Sequence, residues 1–255
     1  MGFLPRIGGA RRDSAAGRPD HCHLDMDDGA PVRVAILWNP RASRYTLRLR
    51  GSVREPVVTI PHGGTLAEAR GFLTRHRGWL KARLDALPSA TPIADGAVIP
   101  LRGTPVTIRH VGGRGLVRVE TDENGATLLV SGSAEHLKRR VTDFLKREAR
   151  ADLEAATLRH AAALGVRVAT IRLGDPASRW GSCSSSGTIA YSWRIIMAPP
   201  AVLDYLVAHE VAHMREMNHS PRFWRLVRTI CPGMESSKAW LARNGASLHA
   251  VGAED

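Results

Sequence analysis

Residues 209 to 213 read His209-Glu210-Val211-Ala212-His213. On a helix, positions four apart lie above one another, so the two imidazoles can address one ion while Glu210, one step round, reaches a water held by that ion. This is the H-E-x-x-H arrangement by which zinc activates water for hydrolysis. A catalytic zinc keeps three protein ligands and one open position, so a third donor is required. His219, six residues past His213, and Glu235, from a later segment, are the two candidates. His219 is preferred because the loop it closes is short. The helix must then end between the two histidines, and Asn218, which tolerates left-handed backbone, suits that turn; Ser220-Pro221 would start the next helix. Glu216 reads as a solvated helix charge.

The helix that carries these groups is well specified. Pro199-Pro200 opens it, because a proline in the first turn lacks only an N–H that would be unpaired there anyway. Leu203, Leu206, Val207, Val211 and Met214 give it an apolar face. Before it come a strand over Arg167 to Leu173, a Gly/Ser-rich loop from Trp180 to Gly187, and an alternating run, Thr188 to Ile196, that predicts another strand. Helical spacing begins after Ser131-Gly132-Ser133 and continues through Leu164, with Gly165 as the stop.

The first half has a different texture. Tyr45 to Arg50, Val57 to Ile60, Val106 to Ile108, Leu116 to Val119 and Thr127 to Val130 alternate or run apolar as strands, with a turn at Glu123-Asn124-Gly125. One helix is expected over Thr65 to Leu87, with Thr65 as N-cap, Glu68 completing a capping box and a break near Gly78. The expected architecture is α+β: a disordered tail over 1–31, a β-rich region over 32–132, and a mainly helical zincin-like metallopeptidase domain with a small sheet over 133–250.

The chain has 255 residues, 44% of them hydrophobic, enough to bury a core. A net charge of +12 is spread along the sequence and favours acidic partners without naming one. With 5% aromatic residues, the interleaved basic and aromatic side chains of a single-strand-binding surface are sparse. Nor does a helix-turn-helix, RNP or zinc-finger pattern support a nucleic-acid partner. Cys22, Cys183 and Cys231 are too few and too widely spaced for a disulfide framework, and no apolar run reaches membrane-spanning length. These features predict a cytoplasmic protein without a membrane anchor. His21-Cys22-His23 reads as part of the unstructured tail, and Cys183 as a small packing residue.

Several residues extend the pattern: Arg179-Trp180-Gly181-Ser182-Cys183-Ser184, Trp193-Arg194, Ala198-Pro199 and Asp204-Tyr205 lead into the H-E-x-x-H run, followed by Asn218-His219-Ser220 and Phe223-Trp224. Together they resemble the YgjP-like metallopeptidase family, related to SprT and the minimal gluzincin-type peptidases. The resemblance spans roughly Val32 to Leu248 and is strongest from Arg179 to Trp224. It implies zinc on His209, His213 and His219, with Glu210 as the base.

On that basis the expected reaction is zinc-dependent hydrolysis of peptide bonds in a peptide or protein substrate, without a covalent intermediate. The Thr188 to Ile196 strand would offer its edge to an extended peptide, and Tyr191, Arg194 and Tyr205 are candidate oxyanion stabilisers or structural residues. The Arg179 to Ser186 loop has two readings. It packs under the helix through Trp180, or its backbone and hydroxyls cradle a phosphate. The second would make a nucleotide the substrate and the protein a metal-dependent nucleoside triphosphate pyrophosphohydrolase. A third class is a DNA-associated protease or binder that draws on the positive charge.

Overall fold

A computed structural model describes residues 17–27, 29–176 except 51–54, and 179–253. They fall into two compact units, the first ending at Arg83 and the second running from Leu84.

In the first unit, β1 (His21–Leu24), β2 (Val32–Trp38), β3 (Thr46–Arg50) and β4 (Glu55–Ile60) form one sheet in the order β1-β2-β4-β3. β1 corrects the expectation of a structureless tail over 1–31. Cys22 and Leu24 are buried, and His21 to Leu24 pair antiparallel with Ala35 to Val32. A strand this short gives a weak signal in the sequence because its stability comes from the partner strand rather than from its own residues. The remainder of that tail, residues 1–16, lies outside the described residues. The expected helix is present in two pieces, α1 (Leu66–Arg75) and α2 (Arg77–Asp85), which separate at His76 rather than Gly78. The reciprocal capping box of Thr65 and Glu68 is formed.

The second unit has two further sheets. β5 (Val98–Leu101), β6 (Thr104–His110), β7 (Arg118–Asp122) and β8 (Gly125–Val130) are ordered β5-β6-β8-β7. Ile99, Leu101, Val106, Ile108, Leu128 and Val130 are buried in one core with Leu137, Val141, Phe144 and Leu145 of α3 (Leu137–Leu164). That helix stops where the sequence places its stop, with Gly165 left-handed at φ 59°. The smaller sheet orders β9 (Thr170–Gly174), β10 (Gly181–Cys183) and β11 (Thr188–Ser192) as β10-β11-β9. The strand expected through Ile196 ends at Ser192, whose side chain caps a short 3-10 helix, Trp193–Met197. All five residues of that helix are buried, so its apolar run reflects burial on every side rather than a strand's alternation.

Three helices follow: α4 (Pro200–Ala212), α5 (Pro221–Ile230) and α6 (Met234–Ala250). α4 is apolar nearly all round, and its sides are divided between two clusters. Val202, Leu203, Leu206, Val207 and Val211 join the main core, while Tyr205, Ala208 and Ala212 pack with Phe223 and Val227 of α5. Polar ties fix it in place. Asp204 accepts from Arg159 and His160 of α3, each at 2.9 Å, and Ser237 of α6 donates to the Ala201 carbonyl. These contacts hold the Asp204 carboxyl below the ordinary carboxylate range, His160 contributing most.

The start of α4 rests on a hairpin. Arg102 and Gly103, at φ 51° and 80°, make the tight turn between β5 and β6, a conformation that matches the strand twist. Their N–H groups donate to the Ile196 and Met197 carbonyls. The Arg102 guanidinium forks onto Asp152 at 2.7 and 2.8 Å and reaches Glu148 at 3.1 Å, both on α3. Arg194 does similar work at the far end of the chain. Buried, it holds Asp175 at 2.6 and 3.0 Å and donates to the carbonyls of Leu248, His249 and Val251, satisfying acceptors that the end of α6 leaves open.

Among the described residues no helix is long and apolar enough to cross a membrane, and Cys22, Cys183 and Cys231 are free thiols.

Two stability predictions follow from these contacts. A Cβ on Gly103 would lie 3.0 Å from the Pro199 Cα, whereas Gly96, at a similar φ of 78°, faces open space. Gly103→Ala is expected to cost about 2–3 kcal/mol and Gly96→Ala about 1 kcal/mol, as read from urea unfolding midpoints; equal costs would mean that the hairpin does not brace α4. His249 is buried against the Trp180 ring at 4.4 Å, and burial, then Arg194, pushes its pKa down to about 4 from 6.5. A folded pKa below the unfolded one means the unfolded chain binds the proton more readily. Stability is therefore complete above pH 6.5 and falls towards pH 4, by up to about 3 kcal/mol from this group. His249→Phe should flatten that part of the stability–pH curve.

Candidate metal centre

His209 and Glu210 lie in the last turn of α4, and His213 is its C-terminal cap. The chain then leaves the helix through a run of tight turns, with Met214 N–H donating to Val211 and the Arg215 and Glu216 N–H groups to Ala212. This differs from the expected left-handed Asn218, since Arg102 is the one non-glycine residue with positive φ among the described residues. The turn tightens the helix's own last carbonyls instead. Ser220 then caps α5 by accepting from the Phe223 N–H, and the short return brings His219 back over α4.

The His209, His213 and His219 donor nitrogens all lie within 4.8 Å of one another. His209 and His219 face each other Nε2 to Nε2 at 3.0 Å. The three rings pack around Phe223, with centroid distances of 5.0, 4.5 and 4.8 Å, and Trp224 stacks on His219. Burial and the neighbouring imidazoles lower the His209 pKa to about 4, and burial lowers that of His213. Both rings are therefore neutral near pH 7 and offer lone pairs rather than charge. His213 points its Nδ1 at the Glu216 carbonyl, 3.1 Å away, and donating there leaves Nε2 as the free donor. Three imidazoles with converging nitrogens, one oriented from behind, form a set that fits a borderline-soft divalent ion such as zinc.

Glu210 is buried, and burial raises its carboxyl pKa to about 7 against a smaller opposing effect of Arg179. Its space exists because residue 181 has no side chain. A Cβ there would sit 2.5 Å from the Glu210 Oε1 and 2.8 Å from its Cδ. Gly181 opens β10, which pairs only with β11 among the described residues and so leaves its other edge free. This corrects the expectation that the Thr188 to Ile196 strand supplies a free edge. β11 is central, bonded to β10 on one side and β9 on the other.

The remaining candidates separate clearly. Glu235, on the first turn of α6, accepts from Arg228 and is not among the converging donors. Arg194 is committed to Asp175 and the end of α6. Tyr191 is buried with its hydroxyl 3.2 Å from that of Thr157, and burial raises the Tyr205 pKa to about 12. The Arg179 to Ser186 segment is mostly strand and hairpin. Ser184 Oγ accepts the Thr188 N–H and bonds Ser186 Oγ at 2.8 Å, while Trp180 packs against Gly245 and His249 of α6. The Ser184 and Ser186 hydroxyls serve the turn. Cys183 also packs, with its sulfur 3.5 Å from that of Met214.

A sequence profile of the YgjP-like metallopeptidase domain matches residues 44–244. The chain belongs to the YgjP-like metallopeptidase family. The profile takes in β3, β4 and every element from α1 to α5. No curated protein matches the chain. Among solved structures, the crystal structure of the metallopeptidase zymogen of Pyrococcus abyssi abylysin is similar at 25% identity, over 38% of this chain and 94% of that one, with a TM-score of 0.34.

The role of Gly181 in this metallopeptidase was not legible in the sequence, where Trp180 to Gly187 reads as a loop; the pairing with β11 makes Gly181 to Cys183 a strand, and a glycine inside a strand marks a close approach. Gly181→Ala should crowd the buried carboxylate and lower stability by about 1–2 kcal/mol. Adding Glu210→Ala should restore most of that loss, with a coupling of about 1 kcal/mol in a double-mutant cycle; additive losses would show that the two residues do not share one space.

Proposed function

We propose that this metallopeptidase is a zinc enzyme in which His209, His213 and His219 hold the ion and Glu210 is the general base. The observation that carries the proposal is the convergence of three imidazole donors beside a buried carboxylate, at the mouth of a strand with a free edge. When bound, zinc would act as a Lewis acid on the scissile carbonyl and acidify the attacking water.

The chain's own residues supply the rest. Glu210, with a carboxyl pKa near neutrality, is suited both to take the water's proton and to return it to the leaving nitrogen, since an acid–base group works best near the operating pH. Gly181 keeps the carboxylate's position free of side chains. The outer edge of β10 is a row of backbone donors and acceptors available to an extended peptide, a mode that reads backbone rather than side chains. It is the strand against which Glu210 packs, so a substrate paired there would present its backbone next to the base. Phe223 and Trp224 wall the histidines and limit water access from that side. Three free thiols suit a reducing compartment such as the cytoplasm.

Two measurements test the reading. Zinc at roughly one hundred times its dissociation constant should stabilise the protein by about 2.7 kcal/mol, and His219→Ala, at an exposed position, should abolish that shift while leaving the metal-free stability nearly unchanged. Products of a mixed peptide library and nucleoside triphosphates, read by mass spectrometry, should show peptide cleavage that a chelator removes. Glu210→Gln should keep the zinc-dependent stabilisation yet lose at least about a hundredfold in rate. Monophosphate and pyrophosphate released beside intact peptides would transfer the activity to nucleotides.

A further inference from the structure

Some cations around the candidate centre are neutralised. Arg222 lies 3.9 Å from the Glu216 carboxylate and Arg228 lies 3.3 Å from that of Glu235. Arg215 instead donates to the carbonyls of Leu164 and Gly165, whereas Arg179 and Lys238, whose charges reach Glu210 and His209, have no carboxylate within ion-pair distance among the described residues. Both are exposed.

Arg179 stands two residues before Gly181, next to Trp180, whose carbonyl accepts the Ser192 N–H at 2.7 Å where the pairing of β10 with β11 begins. Gly181 itself lies against Glu210 with no side chain between them. Cys183, two residues further on, touches Met214 just beyond α4. Arg179 is thus anchored close to the residue that touches the carboxylate, and its charge is felt there. Lys238 approaches by way of the aromatic wall. Its ammonium sits 4.5 Å above the Trp224 ring, and that ring stacks on His219 at 5.6 Å and lies 5.7 Å from His209. A cation over an indole face is held there by the ring's quadrupole, so the position of Lys238 is set without an acid.

We propose that Arg179 and Lys238 select substrates bearing carboxylates close to the scissile bond, so that the enzyme acts on acidic peptides. The inference rests on the peptidase reading for its reaction but not for its binding. The two cations stand apart, one by the base and one by the histidines, and neither belongs to a cluster of converging donors. That layout suits separate carboxylates along an extended chain better than one multiply charged phosphate, which takes a convergent set of donors. The net charge of +12 steers acidic ligands towards the molecule as a whole, whereas these two residues would determine where along a peptide the acids fall.

The test separates binding from cleavage. Zinc-incubated Glu210→Gln protein is titrated, by fluorescence anisotropy at low ionic strength, with labelled peptides of one length. One has internal Asp and Glu and an amidated end, one is neutral with a free C-terminal carboxylate, one is neutral and amidated, and one carries Lys in place of the acids. Exposed pairs are individually weak, so the acidic peptides should bind roughly three- to tenfold more tightly than the neutral amidated one, and added salt should erode the preference. Adding Arg179→Gln and Lys238→Gln should each reduce it, and both together should bring the peptides to parity. Arg172→Gln, which removes an exposed arginine from β9, should leave it intact.

The first two peptides distinguish side-chain acids from a terminal carboxylate as the source. Equal affinity for all peptides, a preference that survives both substitutions, or one that falls equally with Arg172→Gln would each overturn the inference. Cleavage by the wild type without acidic preference would leave the peptidase reading standing and remove this one. Selective binding of acidic peptides without cleavage would do the reverse.

Discussion

α4 has almost no side that can face water. Val202, Leu203, Leu206, Val207 and Val211 enter one cluster and Tyr205, Ala208 and Ala212 another, and a helix apolar all round is stable only when enclosed. Its polar groups are carried inward with it. Burial is what keeps His209 and His213 neutral and brings the Glu210 carboxyl close to neutrality. The same residues on a solvated helix would be ordinary histidines beside an ionised glutamate. The chemistry of the site is thus a consequence of how completely α4 is surrounded.

Enclosure by apolar side chains alone would leave the helix free to slide or rotate, since hydrophobic contact is non-directional. Directional contacts remove that freedom. The Arg102–Gly103 hairpin bonds the segment before α4 while gripping α3 through Asp152 and Glu148. Asp204 ties the first turns of α4 to Arg159 and His160, and Ser237 joins it to α6. A shift of one ångström at either end would move Glu210 against Gly181 or separate His209 from His219. The positive-φ turn at Arg102, a rare conformation for a side chain of that size, is retained at a point where it fixes the geometry of the site.

Charge around the centre is graded. His209, His213 and the Glu210 carboxylate occupy an interior where charge is costly, while Arg179 and Lys238 lie outside in solvent, where their fields are screened and reach only nearby groups. Interior groups of this kind have strongly shifted acidities, and the exposed rim acts weakly on what approaches. Reactivity and selectivity therefore reside in different dielectric environments of one small region.

The sequence by itself determined whatever depends on neighbours along the chain. The four-residue spacing of His209 and His213, the proline start of α4, the Thr65–Glu68 capping box, the stop at Gly165 and the Ser220 cap are local rules, and each is formed. His219 was preferred over Glu235 because a short loop closes cheaply, and the structure brings His219 to the other two histidines. Tertiary structure decided what depends on partners distant in sequence. It made β10 rather than β11 the strand with a free edge, recruited His21 to Leu24 into a sheet by pairing with β2, and turned the run from Trp193 to Met197 into a buried 3-10 helix. It replaced a left-handed Asn218 with tight turns that reuse the helix's last carbonyls, and it made Gly181 the space for Glu210. Register, edge and burial are properties of pairs of elements, and spacing within one element cannot encode them.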